Sequence, residues 1–286
     1  MTDNSPIRHV SDTAFWIAEY RHLESQRKDA LFRDPLAGKL AEAGGIHVKG
    51  LRGERRGMAW SVALRTIVID DYILEGIQEG LDAVLNLGAG LDTRPYRLDL
   101  PSDFDWYEAD FPPIIDFKTR MLKDDNPVCK LRRRGLDLTR PSERRQLFEE
   151  INVAHKKVLV LTEGVIIYLP ESEVASLANA LYEEERFQYW IVDYFSSLLW
   201  KFMERGQMFK RIKENAPFQF RPGDWEGFFA GHHWPLKTMR YLGDESRRRG
   251  RALPAPWILR IIAPLLPRSR TEEFRKMSGY ALLERS

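Results

Sequence analysis

Cysteine is nearly absent. Cys129 is the single one in 286 residues, so no intrachain disulfide can form, which suits a reducing compartment. At the head of an apolar run it reads as a small core residue. No window approaches the about 18 uninterrupted apolar residues that a membrane span needs. The opening MTDNSPIRHVSD has no apolar core and no cleavage pattern, so no secretory signal is expected. Net charge is also small, with 44 Lys and Arg against 42 Asp and Glu, and composition gives no case for a polyanion partner. The basic runs Arg132–Arg134 and Arg247–Arg251 then read as solvated surface. Internal repeats, low-complexity segments and a dividing linker are missing. These absences predict a cytoplasmic protein of one domain, 1–286, with neither nucleic acid nor membrane as partner. They leave its oligomeric state open.

What the sequence does hold is one organising stretch, AVLNLGAGLDTRPYR at Ala83–Arg97. A short apolar run leads into a glycine turn at Gly88 and Gly90, and a polar segment then opens a helix. In an α/β sheet this junction is where a nucleotide-like cofactor sits. Before it the chain reads as helix: Ser11–Arg27, then a short helix from Asp34-Pro35 to Gly44-Gly45. His47–Gly57 reads as a basic loop, and Met58–Gly80 as a long helix whose apolar stripe runs through Trp60, Leu64 and Val68. After it, strands are expected at Ala83–Leu87, Asp105–Asp110, Lys130–Asp137, Lys157–Glu163 and Gln188–Tyr194. Helices alternate with them at Arg94–Leu98, Pro113–Lys123, Ser142–Ile151 and Glu171–Glu185. That alternation implies a parallel sheet covered on both faces, an α/β Rossmann-like fold. Ser196–Asn215 reads as helix and Pro217–His233 as loop or lid. Pro256–Leu266 reads as a short apolar helix, and Leu236–Leu242 with Ser278–Glu284 as a final strand pair. The domain then divides into a helical cap (1–80), a cofactor-binding core (81–195) and a substrate or lid region (196–286).

A third glycine is missing from the loop. Thr93 stands where a dinucleotide fingerprint has the glycine that lets helix and strand pack beneath a pyrophosphate. No neighbouring lysine makes a phosphate-binding loop either. Acids, in contrast, recur at successive strand ends. Asp110 lies 20 residues after Gly90, where a carboxylate accepts from both ribose hydroxyls. Asp137-Leu138 follows the third strand, where Asp accepts from an adenine amino group and Leu packs on the ring. Glu163 follows the fourth, near a cofactor's cationic end. No cluster of bases is evident at those ends, an environment suited to a cationic cofactor and poor for phosphates. S-adenosyl-L-methionine fits, with Arg65 on the preceding helix as the cation for its carboxylate. Asp92 reads as a helix N-cap, and His232-His233 as surface loop. The aromatics of Phe195–Trp234 either line an apolar pocket or form core.

The segments SDTAFWIAEYRHLES, LFRDPLA, ALRTIVIDDYI, NLGAGLDTRPYRL, WYEADFP with Lys118, LDLTRP and LTEGVIIYLPESEV run in order from Ser11 to about Leu181. In them the chain resembles the leucine carboxyl methyltransferase family, specifically its bacterial small-molecule branch, which includes polyketide-tailoring O-methyltransferases. The resemblance implies a seven-stranded sheet with the last strand antiparallel. Carried over by position, it implies that Arg65 binds the methionyl carboxylate and Gly88 lines the methionine. Asp110 would hold the ribose, Asp137-Leu138 the adenine and Glu163 the amino end, with Arg21 a second basic residue near the tail. The expected activity is an S-adenosyl-L-methionine-dependent O-methyltransferase acting on a small carboxylate or phenol. The alternatives are methylation of a protein's C-terminal carboxylate, and a non-catalytic cofactor-binding regulator.

Overall fold

The computed structural model describes residues 12–46, 54–205, 217–254 and 267–286. Three helices lead: α1 (Asp12–Ser25), α2 (Pro35–Ala43) and α3 (Glu54–Gln78). α2 starts where the sequence demands: Pro35 fits the first turn, and the Asp34 carboxylate caps the Ala37 N–H at 3.1 Å. β1 (Ala83–Leu87) follows, then α4 (Arg94–Arg97), β2 (Asp105–Asp110), α5 (Pro112–Met121), β3 (Lys130–Gly135), α6 (Pro141–Ala154) and β4 (Val158–Thr162). A 3-10 turn (Ile166–Tyr168), α7 (Glu171–Tyr182), β5 (Phe187–Phe195) and α8 (Ser197–Arg205) come next. The chain closes with α9 (Trp225–Gly231), β6 (Leu236–Tyr241), α10 (Leu242–Arg248), α11 (Arg268–Arg275) and β7 (Ser278–Glu284).

The strands form one sheet in the order β3-β2-β1-β4-β5-β7-β6, with β7 antiparallel to both neighbours. The expected sheet is therefore present. β1 and β4, apolar apart from Asn86 and Thr162, are buried at every position, as central parallel strands are. β3 lies at an edge and carries Arg132, Arg133 and Arg134, which pair with Asp105, Glu108 and Glu150. The strand order runs outward from β1 in one direction and from β4 in the other. The crevice at their carboxyl ends is thus the place such sheets reserve for a ligand.

Two apolar layers sandwich the sheet. On one face α6 and α7 supply Leu147, Phe148, Ile151, Val174 and Leu177, packed with Trp190 and Trp234. On the other, Val68, Ile69, Tyr72 and Ile73 of α3 pack on Trp106, Leu159 and Ile191. A third cluster joins Ala18 of α1 and Leu40 and Ala41 of α2 to Leu91 in the glycine loop. Cys129 is buried in the second layer, as expected.

Several boundaries differ from expectation. α3 begins four residues before Met58, because Glu54–Gly57 continue the helix instead of ending a loop. β3 stops at Gly135, so Asp137 lies in the turn beyond the strand. α7 stops at Tyr182 rather than Glu185. The expected Pro256–Leu266 helix, most of the His47–Gly57 loop and the end of the Ser196–Asn215 helix lie outside the described residues. No described helix is long and apolar enough to cross a membrane.

Candidate functional site

The carboxyl edge of β3, β2, β1 and β4 gathers the residues expected there. After β1 the chain turns through Gly88 (φ 68°) and Gly90 (φ 48°), left-handed conformations that glycine adopts without steric cost. A Cβ on Gly88 would stand 2.3 Å from Val165, in the turn after β4. The Gly88 N–H donates to the Ala109 carbonyl at 2.7 Å, fastening the loop to β2.

Asp110 ends β2, and its carboxylate closes the loop. Oδ2 accepts the Gly90 N–H at 2.6 Å and Oδ1 its neighbour Phe111 N–H at 2.7 Å. Burial pushes its carboxyl up, against the pull of those two N–H groups. Beneath it a buried chain of charge fixes the strand: Lys118 Nζ donates to Glu108 at 2.8 Å, and Arg133 Nε to the same carboxylate at 2.9 Å.

Asp137 behaves differently. Its Oδ1 accepts from Thr139, from the N–H at 3.0 Å and the hydroxyl at 2.7 Å. This local turn occupies one of its two carboxylate oxygens. Leu138 is half-buried against the core, and its carbonyl accepts from Arg144 Nη1 at 3.0 Å.

Glu163, after β4, corrects an expectation: bases do oppose the acids. Arg65 Nε lies 2.7 Å from one carboxylate oxygen and Arg94 Nη1 2.8 Å from the other. Burial would raise the Glu163 carboxyl, but the two guanidinium groups hold it below the usual range. Arg94 is 1% exposed and also pairs with Asp92 and Asp70. Asp92 is not the cap expected of it: Thr93 stands at the N-cap of α4, and Asp92 accepts the Arg94 backbone N–H at 3.0 Å on one oxygen and Asn86 with the Arg94 side chain on the other. Asp34 gathers Arg21 at 2.9 Å and the Thr93 hydroxyl at 2.7 Å, and Arg21 also donates to the Leu91 carbonyl. Arg21 is thus spent on the loop and on Asp34.

Sequence reasoning missed Arg94, Asp70 and Asp34 as parts of this network, and Asp193 near the end of β5. A signal existed. Carboxylates converging on a low-dielectric edge require buried cations, and Arg94 and Arg97 stand in the same quoted stretch. The strand-end rule, extended to QYWIVDYF, finds Asp193.

The geometry suits a zwitterion better than a simple cation. Arg65 and Glu163 keep 15% and 12% of their side chains exposed, where Arg94 keeps 1%. A guanidinium and a carboxylate therefore stand side by side within reach of a ligand, complementary to an amino-acid head group. Other candidates fall away. His232 bonds Asn179 and His233 stacks on Tyr182, both on α7, whose end leads to the opposite edge of the sheet. Of the lid aromatics, Phe220, Phe229 and Trp234 are core, packed with Trp190, whereas Tyr168, Phe218, Trp200 and Phe195 form a half-exposed row. Phe209 lies outside the described residues.

Residues 14–182 match the leucine carboxyl methyltransferase family. A candidate S-adenosyl-L-methionine-dependent methyltransferase of Streptomyces coelicolor is 34% identical over 182 residues, 60% of this chain and 64% of that one. The chain thus aligns with a little under two thirds of that relative's length. A second candidate, from Streptomyces avermitilis, is 28% identical over 85% of this chain and 89% of its own. Among solved structures, a DUF574 family protein of Streptomyces avermitilis superposes with a TM-score of 0.58 at 12% identity, over 94% of this chain and 97% of that one. A candidate methyltransferase of Thermobifida fusca gives 0.51 at 15% identity, over 94% of each chain. These likenesses establish the methyltransferase fold.

Proposed function

Since the chain belongs to the leucine carboxyl methyltransferase family, we propose that it transfers a methyl group from S-adenosyl-L-methionine to an oxygen of a small-molecule carboxylate or phenol. One observation carries the cofactor reading. The Asp110 carboxylate is bound to the Gly90 N–H at 2.6 Å, at the mouth of a loop whose Gly88 leaves no room for a side chain beside Val165. In this reading Asp110 turns to the ribose hydroxyls, Gly88 and Gly90 bring backbone close to the methionine, and Arg65 and Glu163 take its carboxylate and ammonium. Leu138 packs on the adenine, and Asp137 accepts from its amino group after giving up the turn with Thr139.

The donor supplies a methyl already activated by the positive charge on sulfur. The chain's residues then have to align an acceptor oxygen opposite the methyl and exclude water. A carboxylate or phenolate is nucleophilic as it stands and needs no strong base. The half-exposed row Tyr168, Phe218, Trp200 and Phe195 would give such an acceptor an apolar wall.

Incubation of the protein with methyl-labelled donor and a cell extract, split into metabolite and protein fractions, tests this. Label in a small molecule is expected, as a base-labile ester for a carboxylate or a stable ether for a phenol. Label confined to protein, released as a C-terminal methyl ester, contradicts the small-molecule acceptor.

A further inference from the structure

Asp193 lies near the end of β5, one strand beyond Glu163, and is 2% exposed. Its Oδ2 accepts the Gly164 N–H at 2.9 Å, and the Tyr280 hydroxyl acts on the carboxylate from β7. Gly164 directly follows Glu163 and takes a left-handed φ of 67°. A Cβ there would stand 3.9 Å from Arg65 Nη1, so the guanidinium lies over the turn that Asp193 anchors. The groups facing Asp193 come from every neighbouring element. Arg65 comes from α3, Glu163 from the turn after β4, Tyr168 from the 3-10 turn, and Tyr280 from β7, opposite it in register. Arg65 is the one cation among them. Arg94 approaches from beyond Glu163 and is already matched by Asp70 and Asp92. Glu163 thus has two guanidinium groups against it, whereas Asp193 has none within ion-pair distance and feels Arg65 only across the turn.

We propose that Asp193 is a positioning residue of the cofactor-tail site, anchoring the Glu163–Gly164 turn over which Arg65 lies, and that its negative charge lets the site favour the sulfonium donor over its neutral-sulfur product. This rests on the cofactor reading above. S-adenosylmethionine and S-adenosylhomocysteine differ by a methyl group and one positive charge. Removing the Asp193 charge makes the site more positive by one without removing its anchor to Gly164, so the donor loses affinity relative to the product. Burial pushes the Asp193 carboxyl up to about 6, against Arg65, the Tyr280 hydroxyl and the Gly164 N–H. The wild-type protein therefore makes this change itself between pH 7 and pH 5.

Calorimetric titration of the full chain with both ligands at pH 7 and pH 5 tests the proposal, with Asp193→Asn and Tyr280→Phe as variants. In the wild type the ratio of donor to product Kd should rise about threefold or more on acidification. Asp193→Asn should show the raised ratio already at pH 7 and lose that step. A merely structural role would weaken both ligands alike and leave the ratio unmoved, which overturns the proposal. Should Asp193→Asn not fold, Tyr280→Phe decides. Losing a hydroxyl that stabilises the charged carboxylate must move the step to higher pH, and a step that stays in place overturns it. If neither ligand binds the wild type, the cofactor reading itself fails, a result distinct from two ligands that bind with a constant ratio.

Discussion

Arg94 places a guanidinium at 1% exposure among Asp70, Asp92 and Glu163. The cost of burying it is offset only because all three carboxylates face it. Arg94→Ala leaves those acids short of a cation. Urea unfolding should show a loss of about 3–5 kcal/mol, the range for removing one partner of a buried pair; a loss below about 1 kcal/mol would mean the network is not holding charge. Asp193 gives the opposite sign. Its folded carboxyl titrates near 6, above the about 3.9 of an unfolded Asp. Between those values the native state holds the extra proton, so its contribution to stability falls as pH rises through that window. Asp193→Asn should therefore gain about 2–3 kcal/mol relative to wild type between pH 4 and pH 7. A pH-independent difference would show that Asp193 is not buried uncompensated. At this scale the sequence was legible for Asp110 and Glu163, which stand at strand ends where the rule puts them. It was not legible for Arg94 and Asp34, because an Arg before a proline and an Asp before a proline read locally as helix starts. Their partners come from α3 and α1, far away in the chain.

Among elements, the loop after β1 and the start of α2 carry the most consequence. Gly88 has a left-handed φ and no space for a Cβ beside Val165. Gly88→Ala adds about 1–2 kcal/mol of backbone strain and pushes the turn after β4, which carries Glu163. Thermal unfolding should shift down and S-adenosylhomocysteine affinity fall at least about tenfold; unchanged affinity would place the ligand elsewhere. Asp34 both caps α2 and holds Arg21 and Thr93. Asp34→Asn keeps the cap, worth about 1 kcal/mol, but removes the charge. It should lose substantially more than about 1 kcal/mol in denaturant unfolding, because Arg21 is left buried without its acid; a loss within that value would reduce Asp34 to a cap. The central strands were readable from their apolar runs. β3 was misread at its end because LRRRGLDL keeps a strand-like alternation past the glycine, while Pro112 packs within 3.0 Å of where a Gly135 Cβ would stand and Asp137 turns to Thr139.

In the whole molecule, cap and core are joined through polar ties as well as apolar ones. Arg21 reaches Leu91, Thr93 reaches Asp34, and Arg97 reaches Asp70, while Ala18 and Leu40 pack with Leu91. We propose on this basis that residues 1–286 unfold as one unit. Far-ultraviolet circular dichroism and tryptophan fluorescence should give coincident transitions; two separated transitions would divide the cap from the sheet. The alternation of strand and helix made the sheet legible, but the charge balance of its carboxyl edge was not, since it is assembled from segments far apart in the chain. That edge also carries the central claim, that the glycine loop and Asp110 hold the adenosyl end of the methyl donor. Calorimetric titration of S-adenosylhomocysteine into the wild type and Asp110→Ala tests it most directly. One site per chain in the wild type, weakened at least about tenfold in the variant while its fold remains intact, is the predicted result. Equal binding by both, or binding by neither, would contradict it.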